Sequence, residues 1–139
     1  MLDMKKALTK MLEAEASRGE IIAKTGSNIS IASGGSLKET GISISVPSGV
    51  WLIVIYADFG TTNSGSYRGV SYRYRDDGGE WKPTGFGYNA VPITDSSAVL
   101  SSATLVNFDK HTTTREYEIT VRSNPAITFG GTIKALRIA

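Results

Sequence analysis

The chain has no cysteine and a single histidine. Without cysteine there are no disulfides, zinc–thiolate centres or thiol nucleophiles. His111 lies in "DKHTTT", read as a loop, with no second imidazole to complete a transition-metal site. Neither "SSA" nor "TDSS" supplies the strained Gly-x-Ser-x-Gly elbow of a serine hydrolase. Charge of one sign is also missing. Fifteen Lys and Arg stand against thirteen Asp and Glu, scattered along the chain, so no basic stripe for nucleic acid is present. The most apolar passage, "VPSGVWLIVIYADF" at 46–59, is too short to cross a bilayer as a helix. The opening "MLDMKKALTKMLEAEA" carries charges throughout and is not read as a signal peptide. These absences point to a non-enzymatic chain with no cofactor, no metal, no nucleic-acid partner and no membrane span.

What is present divides into two parts. Residues 1–18 favour a helix, rich in Ala, Leu, Met, Lys and Glu, with Met1, Met4, Leu8 and Met11 forming an a/d seam. The seam fits either a helix packed on the chain's own body or a coiled-coil stub joining several copies. Residues 19–139 change to Gly, Ser, Thr, Val, Ile and Tyr, with turn clusters every ten or so residues, the mark of an all-β sandwich or barrel.

The strands between the turns are of two kinds. "GISISVP", "GVSYRYR" and "REYEITVR" alternate apolar and polar residues, giving one buried and one wet face. In "VWLIVIY", by contrast, Trp51, Ile53 and Ile55 oppose Leu52, Val54 and Tyr56, and both sets are apolar. "AVLSSATLVNF" sets Val99, Ala103 and Leu105 against Leu100, Val106 and Phe108, and "TIKALRIA" sets Ile133 and Ala135 against Leu136 and Ile138. Wet-faced and dry-faced strands interleave along the chain, as they do when a chain hops between two facing sheets in a jelly roll. The dry sheet then needs a cover on its outer side. Other copies of the chain are the expected cover, meeting through Leu52, Val54, Tyr56, Leu136 and Ile138. The N-terminal helix lying across the sheet is the competing explanation.

"VPSGVWLIVIY" is similar to the Val-Pro-x-x-Gly-aromatic strand of the tumour-necrosis-factor and C1q-like jelly rolls. "FGGTIKALRIA" resembles their closing strand, where Phe-Gly precedes a short apolar run. The resemblance implies three protomers around a threefold axis, with Leu52, Val54 and Tyr56 lining it and Trp51, Ile53 and Ile55 filling the sandwich. Secreted members carry export or anchor sequences, and many carry cysteines or a collagen stalk, none of which is read here. A trimeric jelly roll behind a short coiled coil also resembles the head domains of bacteriophage receptor-binding and tail-fibre proteins. That likeness implies synthesis in a bacterial cytoplasm without a leader, incorporation into a virion, and contact with other virion proteins through the helix. It also implies non-covalent adhesion to a bacterial surface carbohydrate. A ligand-free decoration or assembly protein, and a small enzyme with an inter-subunit active site, are the alternatives.

Aromatics outside the core are the binding candidates. Tyr67, Trp81 and Tyr88 can stack on a sugar ring, and Arg73 and Arg75 can pair with carboxylate or phosphate. Trp81 can instead plug the end of the sandwich. "GFGYNA" at 85–90 matches a dinucleotide-binding pattern, but no buried strand precedes it and Pro92 blocks the helix that should follow. Asp58, Asp76, Asp77 and Asp109 could pair as carboxylates, though each adjoins a turn, where Asp is common for backbone reasons. "RDDGGEW" reads as a hairpin turn rather than a calcium loop. Asn28-Ile29-Ser30 is a formal glycosylation sequon without consequence unless the chain is secreted.

Overall fold

The strand that is apolar on both sides, β3 (Gly49–Thr62), lies inside its sheet with a paired neighbour on each edge. The computed structural model describes residues 3–9, 19–62, 68–83, 89–90 and 99–139. In the first sheet the order is β1 (Ile21–Ile31), β9 (Ile127–Arg137), β3 and β7 (Val99–His111). The second runs β2 (Lys38–Val46), β8 (Arg115–Ser123), β4 (Arg68–Asp76) and β5 (Lys82–Pro83), with β6 (Asn89–Ala90) also pairing with β4. Every pairing is antiparallel. The dry-faced strands β3, β7 and β9 share one sheet, and the alternating strands β2, β4 and β8 share the other. This is the jelly-roll sandwich expected from the interleaving.

The core lies between the sheets. Trp51, Ile53, Ile55, Phe59, Phe129 and Ile133 face inward from the first sheet, and Val46, Val70, Tyr117, Ile119 and Val121 from the second, all essentially without solvent contact. The Trp51 indole N–H donates to the Pro47 carbonyl at 3.0 Å, so its burial leaves no polar atom unsatisfied. The position of Gly131 favours glycine, because a methyl there would sit 3.0 Å from both the Phe129 ring and the Tyr56 carbonyl oxygen, a tight fit on both sides. At one end, Asp77 and Gly78 both take positive φ and Gly79 N–H donates back to the Asp76 carbonyl, a type I′ turn joining β4 to β5.

Residues 4–9 are helical, started by Asp3, whose carboxylate accepts the Lys6 N–H at 3.1 Å. Met4 and Leu8 of the seam are 70% and 56% exposed, so this turn does not bury them on the sandwich.

Two expectations are corrected. His111 is not a loop residue: it ends β7 and is buried, its Nδ1–H donating to the Thr113 carbonyl at 2.7 Å. The outer face of the second sheet is not uniformly wet, since Ser71, Glu118 and Thr120 are buried. For Glu118 the cause is visible. A bulge in β2 between Glu39 and Ser43 brings the Gly41 N–H onto one carboxylate oxygen at 2.9 Å while Arg73 closes on the other.

Charge joins the two sheets at the β7 edge. Arg115 on β8 holds Asp76 through Nε at 2.7 Å and Nη2 at 3.2 Å, and holds Asp109 on β7 through Nη1 at 3.0 Å. The Tyr117 hydroxyl donates to the same Asp109 carboxylate, and the Asn107 amide donates to the Tyr72 hydroxyl at 2.6 Å. Asp76 and Asp109 thus do come together, but with a guanidinium between them that bonds both and offsets one of their two charges. Asp58 is occupied separately, accepting the Gly60 N–H at 2.8 Å, and Asp77 lies in the turn.

Arg115→Ala leaves two partly buried carboxylates facing each other and is expected to cost about 2–4 kcal/mol, read as a lowered urea midpoint. The Arg115 hydrogen bonds also hold the Asp76 carboxyl below its ordinary range. Its contribution is therefore present above about pH 4 and lost as the pH falls through the depressed folded value. Urea midpoints measured from pH 7 to pH 3 should fall less steeply in Asp76→Asn than in the unaltered chain.

Candidate functional site

Register builds the outer face of the first sheet row by row. Ile21 pairs with Leu136, Leu136 with Leu52, and Leu52 with Phe108, so one row of four side chains is wholly apolar. The next row is Ala23, Lys134, Val54 and Val106, and the third is Thr25, Thr132, Tyr56 and Thr104. Phe108 is 68% exposed, Val106 55% and Tyr56 49%. Ile21 and Ile138 are also exposed, while Leu52, Val54 and Leu136 are half-buried among them. Four strands about 4.8 Å apart, with rows about 6.8 Å apart, make this face roughly 390 Å², of which the first two rows, apolar but for Lys134, cover about 260 Å². That is the size of the largest apolar patch on many monomeric proteins, which is often a functional one.

Leu52, Val54, Tyr56 and Leu136, named from sequence, all lie on this face, and Ile138 follows Leu136 at its margin. Ile21 was not anticipated, because its strand was not read. Beside the apolar rows the surface dips into a groove of about 340 Å³ lined by Thr25, Val54, Tyr56, Thr132 and Lys134. The Thr25 and Thr132 hydroxyls bond each other there at 2.9 Å.

The other candidate surface is the outer face of the second sheet. Arg73 and Arg75 on β4 stand in register with Glu118 and Glu116 on β8. Arg73 bonds Glu118 through Nε at 2.7 Å and reaches Glu39 at 3.4 Å, while Arg75 bonds both Glu116 oxygens at 3.2 and 3.1 Å. The guanidinium carbons of Arg73 and Arg75 lie 4.1 and 4.5 Å from the Trp81 ring centroid. Trp81 therefore caps two cations on the sheet's outer surface and does not plug the end of the sandwich. Three of the five proposed ligand residues meet. Tyr67 and Tyr88 lie outside the described residues. Because each arginine is already matched by a glutamate, the indole, partly exposed, is the group best placed to meet a ligand here.

No family model matches the chain, and no curated protein does. Among solved structures it is similar to Eiger TNF from S. frugiperda, with a TM-score of 0.55 and 10% identity over 88% of this chain and 94% of that one. It is also similar to a chain in the structure of infectious bursal disease virus Gx strain, with a TM-score of 0.56 and 8% identity over 85% of this chain. The match covers 32% of that viral chain, so the present sequence corresponds to about a third of it. At such identities the likeness is one of fold. The architecture that the sequence motifs resembled, a TNF-like jelly-roll sandwich, is the architecture of this chain.

Proposed function

We propose that this protein is a homotrimeric structural protein of a phage or prophage particle, of the tail-fibre or receptor-binding type, that adheres to a bacterial surface glycan. The observation that carries the assembly part is the outer face of the first sheet, where Phe108, Val106, Ile21 and Tyr56 stand in solvent on a single protomer. Copies of the same chain are the cover this reading selects. Two supports favour them: the TNF-like strand order, and the exposed Met4 and Leu8, which offer a second apolar contact on each copy. At about 25 cal/mol per Å², covering the apolar rows is worth about 6 kcal/mol per protomer. That is comparable to the cost of association, so the helical seam has a supporting part in closing the assembly.

The adhesive part rests on Trp81. A trimer presents three such rings, and joint engagement multiplies weak single-site affinity. The charge balance at Arg73 and Arg75 favours the second reading, a decoration protein with no ligand, because it leaves little net charge for an anionic polymer. Retention on cells separates the two.

Val106→Glu and Phe108→Asp alter side chains that the single protomer leaves exposed, so they spare its fold. Either should convert a trimeric mass by light scattering into a monomeric one with an unchanged far-ultraviolet spectrum. A trimer that survives both changes overturns the face assignment. Trp81→Ala should weaken binding of the labelled protein to host cells or a glycan array about tenfold, and Trp81→Phe much less. If the unaltered protein is retained by neither surface, the adhesive reading falls and the decoration protein stands.

A further inference from the structure

We propose that the assembled protein binds one small oxyanion on its symmetry axis, between three copies of Lys134. This rests on the trimeric reading above. Lys134 stands on β9 in register with Val54 of β3 and Ala23 of β1, one row from Leu136, Leu52 and Phe108. It is a cation set within the face that assembly would cover. On the protomer it is exposed, and no ion pair among the described residues holds it.

Closing the face takes that ammonium out of water, which is unfavourable unless a negative charge comes with it. Among the described residues the face supplies none at the right height. Its carboxylate is Asp58, in register with Gly130, four residues along β3 from Val54. That is about 13 Å along the strand, beyond the reach of a lysine at the height of Val54. With the threefold axis running along the strands over Val54, Lys134 lies one strand away, about 4.8 Å, at the same height in every copy, and its flexible four-carbon stem lets the three ammonium groups turn in toward the axis, where Asp58 does not reach. Three ammonium groups converging without a counter-charge would repel.

The surrounding groups fit an anion drawn from solution. The groove beside Lys134 is lined by Tyr56, Thr25 and Thr132, with no carboxylate. The bond between the two threonine hydroxyls leaves one of their O–H groups able to donate outward. Ammonium and hydroxyl donors around a cleft of this size suit a phosphate, a sulfate or a carboxylate.

Calorimetric titration of the intact protein with inorganic phosphate, at constant ionic strength in sodium chloride, is expected to show one phosphate bound per three chains. The same ratio with acetate instead supports a carboxylate as the occupant. Lys134→Gln should keep the trimeric mass and weaken that binding at least about tenfold, while Lys134→Arg should retain it. The unfolding temperature should rise with the logarithm of the phosphate concentration in the unaltered protein and not in Lys134→Gln. A trimer that binds neither anion, or binds as well after Lys134→Gln, overturns the inference and leaves the assembly standing. A monomeric mass for the unaltered protein overturns the assembly itself, and this inference with it.

Discussion

The two-residue period of β3 is the constraint on which the rest of the molecule depends. Trp51, Ile53, Ile55, Ala57 and Phe59 enter the core without solvent contact, and the residues between them necessarily point the other way. Because Leu52, Val54 and Tyr56 occupy those alternate positions, no rotation of the strand hides both sets. The strand is flanked by β9 and β7, and the sheet around it inherits an apolar outer surface.

The second sheet solves the opposite problem. Its strands carry charge outward, and the charges are matched in register, Arg73 with Glu118 and Arg75 with Glu116, under the Trp81 ring. The Arg115 cluster does similar work at the edge, tying β7 to β4 and β8 where the apolar core thins out. Such matched clusters add less to net stability than their bond count suggests, but they oppose sliding of one layer on the other. The tightly bonded Tyr117 fits this reading. Burial, reinforced by the Asp109 carboxylate, pushes its phenol far above the ordinary value and keeps the proton in place as a donor.

How far the sequence was legible follows from where the period survives. In β3 and β9 it runs unbroken, and the inward and outward sets separate correctly. In β1 it breaks. The bulge at Ser27 and Asn28, where Asn28 takes a φ of 56°, moves the inward positions from Ile22 and Gly26 to Ile29 and Ile31. An edge strand with a mid-course change of phase reads as loop. In β7 the inward row continues from Ala103 and Leu105 into Asn107, Asp109 and His111. The strand was read as far as Phe108, but the polar Asp109 and His111 hide its end until their partners, Arg115 on the other sheet and the Thr113 carbonyl in the following turn, are known. Trp81 was recognised as a surface aromatic, but its seat over Arg73 and Arg75 depends on the β4–β5 pairing, which spacing alone does not reveal.

The rim formed by β7 has a practical side. Thirteen residues long, it closes one margin of its sheet, and Val106 and Phe108 project from it into water. A newly made protomer is thus adhesive along a backbone edge and a greasy surface at once, the combination that seeds irregular clumping. Orderly association and clumping both speed up with crowding of fresh chains, but only the first needs a finished fold. Slow, cool synthesis therefore favours recovery of well-formed material.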